Sequence, residues 1–160
     1  RSERLLAALS GEQLVVVFDG SDGSGSDGDG SKGGWRIGVS LSVSAPSWEV
    51  RPLNDLKPGD QPMALEAEAD ELRLLVATGE DADRRLVALK GDANGFDQRI
   101  ALDSPSPMRH FASGESWAGF SGDQVLALLE GESHELRLAR WAAGGALLWR
   151  HLHETYIQGQ

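Results

Sequence analysis

The chain has 160 residues with 15 basic and 25 acidic side chains, a formal charge of −10, and it contains 20 glycines and no cysteine. The missing cysteine excludes disulfides, thiolate-based zinc sites and cysteine nucleophiles. No apolar run approaches the roughly 18 residues that span a bilayer, and the acidic balance argues against a surface that binds nucleic-acid phosphates. We therefore expect neither a membrane nor a nucleic-acid partner.

The N-terminal region lacks a recognisable secretory signal, because the apolar stretch 5–9 is too short for the hydrophobic region of one. This favours a cytoplasmic protein. The chain begins with Arg1 rather than methionine, so a processed chain that has lost its signal peptide is the alternative.

Short β-prone runs separated by Gly, Asp, Ser and Pro fill most of the chain and predict an all-β protein. In chain order the predicted strands are 5–9, 13–18, 35–43, 48–53, 63–67, 72–77, 85–90, 98–102, 117–120, 125–129, 135–140 and 146–151. The segment 63–71 contains good helix formers. Its alternation of apolar residues with acids favours a strand.

The glycine excess is concentrated in residues 19–34, which contain seven Gly, four Ser, four Asp and one Lys. Such a composition predicts a mobile connection between the two strands of a hairpin. Its oxygen-bearing side chains at Asp27, Asp29 and Ser31 have the spacing of a calcium loop, and those at Asp22, Ser24 and Ser26 resemble the metal-ion site of von Willebrand A domains. Neither pattern is complete, so a solvated acidic linker is favoured over a calcium site.

A repeat becomes visible when the segments that start at Gly11, Ala69 and Gly122 are aligned, each with an acid, a polar residue and an apolar run after the first residue. One predicted strand precedes each of these segments and two follow it. Four strands in about 40–55 residues, repeated three times, are typical of β-propeller blades. The repeat units are about 1–57, 58–107 and 108–157 within a single domain, 1–160.

The third unit resembles a blade of the bacterial WD-repeat propellers. The resemblance rests on the turn Phe120-Ser121-Gly122-Asp123, the strand that follows it, and the segment 135–149 with its Leu-Arg-Leu run and Gly-Gly turn. The Gly-His dipeptide of that class is missing, and Trp141-Ala142 replaces its Trp-Asp dipeptide. The internal hydrogen-bond network of the class therefore does not carry over.

Three blades are fewer than the four to eight that close a propeller. An end blade would expose an apolar face, so we expect the chain to be part of a longer protein or assembly, to pair with a copy of itself, or to dock on a protein partner that completes the ring. The leading hypothesis is a non-enzymatic interaction or scaffold module with no catalytic, cofactor-binding or metal-ligating residue. A closed β-sandwich or barrel is the alternative fold.

A second hypothesis from a different class is a Mg²⁺-dependent nuclease. Asp19 follows one β-run, Glu68 lies in the ambiguous segment 63–71, and Asp92 follows another β-run. This order resembles ribonuclease H-like and PIN-like nucleases, in which such acids bind two metal ions. The hypothesis requires a helix at 63–71 and hence an α/β fold.

The remaining candidates are histidines and tryptophans. The four histidines are His110, His134, His151 and His153, and the last two would share one face of a strand, but two ligands do not make a metal site. The five tryptophans are Trp35, Trp48, Trp117, Trp141 and Trp149. They are expected to pack within and between blades, and any that is exposed would be a hot-spot candidate.

Overall fold

The computed structural model describes residues 5–20, 34–57, 59–79, 85–103, 117–130 and 136–153, with the backbone alone at 117, 129, 130, 136, 137 and 149–153. These residues form twelve strands and no helix. The strands are β1 (Leu5–Ser10), β2 (Gln13–Asp19), β3 (Trp35–Ser40), β4 (Trp48–Pro52), β5 (Gln61–Glu68), β6 (Glu71–Thr78), β7 (Arg85–Asp92), β8 (Gly95–Ala101), β9 (Trp117–Ser121), β10 (Gln124–Glu130), β11 (Leu136–Trp141) and β12 (Leu147–His153).

The strands form three antiparallel sheets of four, and each sheet contains four consecutive strands in chain order. We call them sheet 1 (β1–β4), sheet 2 (β5–β8) and sheet 3 (β9–β12). Every strand pairs only with its sequence neighbours in these ladders, so the described residues form no closed barrel. The all-β prediction is confirmed, and the barrel alternative is wrong.

The segment 63–71, whose helix or strand character the sequence left ambiguous, belongs to the hairpin of β5 and β6. Leu65 pairs with Leu74, and Ala67 pairs with Leu72. Tertiary pairing therefore overrides the helix propensity of this segment, because strand β6 places an apolar partner opposite each apolar residue paired in it.

The three sheets are built on the same turn. Two residues connect the first strand to the second in each sheet, and the first of these residues is Gly11, Ala69 or Gly122. Their φ angles are 60°, 52° and 60°, respectively. Hairpin turns of the primed types need a positive φ at this position. The repeat aligned in the sequence thus begins at a structurally equivalent residue in each sheet.

Ala69 adopts a backbone conformation that costs a residue with a Cβ about 1–2 kcal/mol. We expect Ala69→Gly to raise the free energy of unfolding by about 0.5 kcal/mol, since part of the relieved strain is offset by the greater chain entropy of glycine. Gly122→Ala should lower it by about 1 kcal/mol. Urea denaturation monitored by circular dichroism measures both changes.

The control for this pair is Gly144→Ala. A Cβ at Gly144 would meet no atom within 4 Å, and its φ lies outside the left-handed region. Its substitution should leave stability almost unchanged. A loss at Gly144 as large as that at Gly122 would contradict the conformational explanation.

Sheet 2 is buried on both faces, as expected for the middle of three stacked sheets. Alternate residues of β6 point to opposite sides: Leu72, Leu74 and Val76 pack in the core shared with sheet 1, and Leu75 and Ala77 pack in the core shared with sheet 3. The six residues from Leu72 to Ala77 are all buried. This explains why the segment from Leu72 to Ala77 is apolar except at Arg73.

The first strands of the sheets lie side by side. Strand β1 contacts β5, and β5 contacts β9. The hydroxyl of Ser10, at the end of β1, donates a hydrogen bond to the carbonyl oxygen of Ala69, just after the end of β5. The sheets are therefore arranged around their first strands, with one end of each first strand near the same end of the next.

Candidate functional site

The face of sheet 1 that points away from sheet 2, which we call the open face of sheet 1, is largely apolar, and its described residues include large exposed side chains. Val15, Val17 and Ile37 point toward sheet 2 and are fully buried, so the alternate positions lie on the open face. The ladder register places on this face Leu5, Ala7, Leu9, Leu14, Val16, Phe18, Arg36, Gly38, Ser40, Trp48, Val50 and Pro52.

The exposure of this face is large for apolar side chains. Leu5 is 63% exposed, Leu9 56%, Val50 49% and Trp48 44%. They lie in the first and fourth strands, on either side of the half-buried Val16. Contiguous apolar surface of this kind marks interaction sites in soluble proteins.

Gly38 makes the centre of the open face shallow. A Cβ built at this position would lie 3.0 Å from a methyl carbon of Val16, 3.4 Å from the Trp48 ring and 3.6 Å from a methyl carbon of Val50. These three side chains therefore surround the bare backbone of Gly38. The result is an apolar depression bordered by an aromatic ring, the type of surface on which binding hot spots form.

The corresponding faces of the other two sheets are buried. Aligned on the shared turn, Leu14 and Val16 of sheet 1 correspond to Leu72 and Leu74 of sheet 2, which are 3% and 0% exposed against sheet 1. In sheet 3 the same positions are Val125 and Ala127, which are 3% and 0% exposed. The open face of sheet 1 therefore has the same kinds of residue as the equivalent faces of sheets 2 and 3, and each of those faces is covered by a neighbouring sheet.

The face of sheet 3 that points away from sheet 2, which we call the open face of sheet 3, is also only partly covered. Ala139 and Trp141 point toward sheet 2 and are fully buried. The alternate positions Leu126, Leu128, Leu138 and Arg140 are half-buried. Arg140 donates a hydrogen bond to the side-chain oxygen of Gln124 on this face. This surface combines an apolar centre with a polar edge.

A third surface feature is an open groove of about 860 Å³ beside the turns of sheet 2. Acidic residues dominate its lining, which includes Asp55, Glu68, Asp70, Glu71, Asp92 and Asp97. Two basic residues, Arg51 and Lys90, offset part of this charge, and the Lys90 ammonium lies 3.9 Å from a Glu71 oxygen. Among the described residues, no three acids or histidines are placed so that they could hold a metal ion.

The structure does not bring the three nuclease candidates together. Glu68 and Asp92 line the same groove. Asp19 lies at the far end of β2, since Ser10 and Gln13 mark the end of sheet 1 that contacts the Ala69 turn. Six residues of extended strand separate Asp19 from that end, roughly 20 Å. With no helix at 63–71, the nuclease hypothesis is not supported.

The other predicted site residues have different outcomes. Residues 21–33, with both calcium patterns, lie outside the described residues, as do His110 and His134. Strand β12 contains His151 and His153, but their side chains are not described. Trp141 is fully buried and Trp35 packs against the core between sheets 1 and 2, whereas Trp48 is exposed on the open face, where the sequence predicts a hot-spot candidate.

Within the described part of the chain, no helix is long and apolar enough to cross a bilayer.

Consecutive four-stranded antiparallel sheets, stacked face to face with their first strands adjacent, define the chain as a set of β-propeller blades. The fold is similar to the β-propeller domain of the Trilobed protease from Pyrococcus furiosus, which has an open velcro topology. The TM-score is 0.51 at 8% sequence identity, and the match covers 98% of this chain and 44% of that chain. This chain therefore spans less than half the length of that structure. The partial-propeller prediction is confirmed.

Comparison with protein-family models finds no match for this chain. Comparison with curated proteins finds none either. The similarity to the Pyrococcus furiosus propeller concerns the fold alone.

Proposed function

We propose that this chain is a non-enzymatic interaction module of propeller type and that the open face of sheet 1 is its binding surface. The observation that carries the proposal is the equivalence of Leu14 and Val16 to Leu72 and Leu74. The first pair is half-buried on the open face, and the second pair is buried beneath sheet 1. Covering such a face stabilises a complex by about 25 cal/mol for each Å² of apolar surface removed from water.

The partner of this surface is a protein rather than a membrane or a nucleic acid. The strand positions of the open face contain one charged residue, Arg36, which is too little positive charge for phosphate binding. An aromatic side chain beside a shallow apolar depression, at Trp48 and Gly38, is suited to a flat protein surface such as another sheet. Sheets pack on one another about 10 Å apart, without needing a deep pocket.

We further propose that the blades are of the WD-repeat class, on the motif of the third unit. The turn of that motif is the two-residue connection after Ser121, and its Trp141 is the buried ring at the end of β11. A cytoplasmic location remains the prediction that goes with this proposal.

The proposed function is tested by a photo-crosslinking amino acid at Trp48. Because Trp48 is 44% exposed on the open face, irradiation in the cells that produce the chain should yield one crosslinked species of defined mass. The measurement is the mass of that species, followed by identification of the crosslinked peptide.

The matched control carries the same crosslinking residue at Gln98, which is exposed on β8, the last strand of sheet 2. This position should yield no defined species. If Trp48 gives no more crosslinking than Gln98, the open face does not bind a protein and the proposed function is wrong.

A further inference from the structure

The two open faces of this chain correspond to the two kinds of sheet face that pack together at each of its internal junctions. At each internal junction, the face of one sheet that points forward along the chain packs on the backward face of the next sheet. The backward face of sheet 1 and the forward face of sheet 3 are the two open faces. They are therefore the two surfaces that such a junction would join.

We propose that the open face of sheet 1 is covered by the open face of sheet 3 from a second copy of this chain, and that two copies form a closed six-bladed ring. The inference rests on the proposed function, since it names the partner of the same surface. The three blades that the structure describes in each copy give six, which lies within the four to eight blades that close a propeller. A twofold axis along the ring axis repeats the same junction twice and covers both open faces of each copy.

The hydrogen bonds at the internal junctions indicate how the copies meet. The carbonyl of the positive-φ turn residue accepts a bond from the preceding sheet at both junctions: Ser10 donates to Ala69, and Arg73 Nη1 donates to Gly122 at 2.6 Å. In sheet 1 the same carbonyl belongs to Gly11, which is exposed. The residue of sheet 3 at the position of Ser10 is Ser121. The third junction would therefore bring together a serine hydroxyl and a turn carbonyl, the same two groups that meet between sheets 1 and 2.

The apolar contact at this junction follows from the same alignment. Between sheets 2 and 3, the guanidinium of Arg73 lies 5.0 Å from the centre of the Phe120 ring. The position of Arg73 corresponds to Leu126 in sheet 3, and that of Phe120 corresponds to Leu9 in sheet 1. Leu126 of one copy would then cover Leu9 of the other, which is 56% exposed in the single chain.

Charge does not oppose this association at the open face of sheet 1, although each copy carries a formal charge of −10. None of the twelve strand positions of this face is a carboxylate. In sheet 2, Glu68, Asp70, Glu71, Asp92 and Asp97 lie beside the turns, in the groove, and Glu66 is paired with Arg73. Repulsion between copies over longer distances is screened at physiological ionic strength.

The first test is the mass of the chain in solution, measured by light scattering over a range of concentrations. We expect twice the 17.1 kDa of one chain. Leu9→Glu places a carboxylate in the junction and should weaken association by roughly a hundredfold. Adding Leu126→Arg in the same chain should restore the dimer, because the arginine pairs with the new carboxylate of the other copy. Gln98→Glu adds the same charge outside both faces and should leave the mass doubled.

Circular dichroism establishes that each variant keeps its β-structure, so that a loss of dimer is separated from a loss of fold. Failure of Leu126→Arg to restore a folded Leu9→Glu variant would contradict the pairing of sheet 1 with sheet 3. A wild-type chain that stays at 17.1 kDa at all concentrations would overturn the proposal.

The second test uses the absence of cysteine from the chain. Glu12→Cys lies beside Gly11, and Ser121→Cys lies at the proposed donor; both positions are exposed. A bis-maleimide that spans about 10 Å, the distance between packed sheets, should link the double variant into a dimer and neither single variant. A ladder of larger species indicates an open chain of copies, and linking of a single variant indicates a like-to-like contact. Either result overturns the closed ring.

The two proposals fail in different ways. If the crosslinker at Trp48 captures a different protein while the chain alone stays monomeric, the second copy is wrong and the interaction function stands. If Trp48 captures nothing and the chain is monomeric, both are wrong.

Discussion

Trp141→Ala is expected to lower the free energy of unfolding by about 4 kcal/mol. The Trp141 side chain is fully buried in the core between sheets 2 and 3, together with Leu75, Leu86 and Val125. Its indole nitrogen donates a hydrogen bond to the Asp103 carbonyl at 2.7 Å. Truncation therefore creates a cavity and removes a hydrogen bond to the segment after β8. Domains are stable by about 5–15 kcal/mol, so this is a large share of the total.

The measurement is urea denaturation at 25 °C with equal protein concentrations for all variants, because any self-association would add to apparent stability. Trp141→Phe removes the N–H donor and a smaller part of the ring volume than alanine does, so it should cost about half as much. Leu41→Ala, at a side chain that is 74% exposed, should change stability by less than about 0.5 kcal/mol. A similar small effect at Trp141 would mean that sheets 2 and 3 do not share this core.

The strands could be predicted from the sequence because short apolar runs alternate with turn residues along the whole chain. The third predicted strand is too long, since the sequence predicts that it reaches residue 43 but it ends at Ser40. The buried Ser40 hydroxyl bonds the Ser42 carbonyl and accepts from the Ser47 amide at 3.1 Å. A side chain that bonds a nearby backbone in this way competes with the strand ladder, and β-propensity alone does not reveal it.

The candidate surface could be predicted only in general terms. Counting blades against the four that a closed propeller needs indicates that an open face exists. It does not indicate which residues form that face, since Leu14, Val15, Val16 and Val17 are equally apolar in the sequence. The face each residue takes depends on register, which the turn at Gly11 and the pairing with β3 determine. The hypothesis of an acidic metal site failed for a related reason, because acids at strand ends are common and only their three-dimensional distances make a site.

Arg73 is a residue whose importance was not visible in the sequence. A single arginine within the apolar run of β6 has the pattern of an exposed strand position, yet its side chain is only 4% exposed. It is buried because sheet 3 covers the forward face of sheet 2. The Gly122 carbonyl, the Phe120 ring and two glutamates then supply its contacts. No local pattern of residues predicts this set, since it joins positions about 50 residues apart.

Arg73→Met should lower the free energy of unfolding by about 3 kcal/mol, because it keeps the aliphatic volume and removes the charge. The Gly122 carbonyl would lose its 2.6 Å donor. Glu66 Oε2 is itself buried, although the Glu66 side chain as a whole is 39% exposed, and it would lose the guanidinium nitrogen 3.1 Å away. Urea denaturation measures the change, and combining Arg73→Met with Glu66→Met tests its origin. The double variant should recover part of the stability, since it removes the uncompensated carboxylate as well.

Glu68→Gln provides the matched control at the same guanidinium. Glu68 Oε2 lies 3.3 Å from Arg73 Nη2, but the Glu68 side chain is 72% exposed. An ion pair with one partner in solvent contributes little, so this variant should change stability by less than about 0.5 kcal/mol. Equal losses at Arg73 and Glu68 would locate the stabilisation in surface charge. A loss at Arg73 with almost none at Glu68 would locate it in the buried contacts of the guanidinium, which include the bond to the turn of sheet 3.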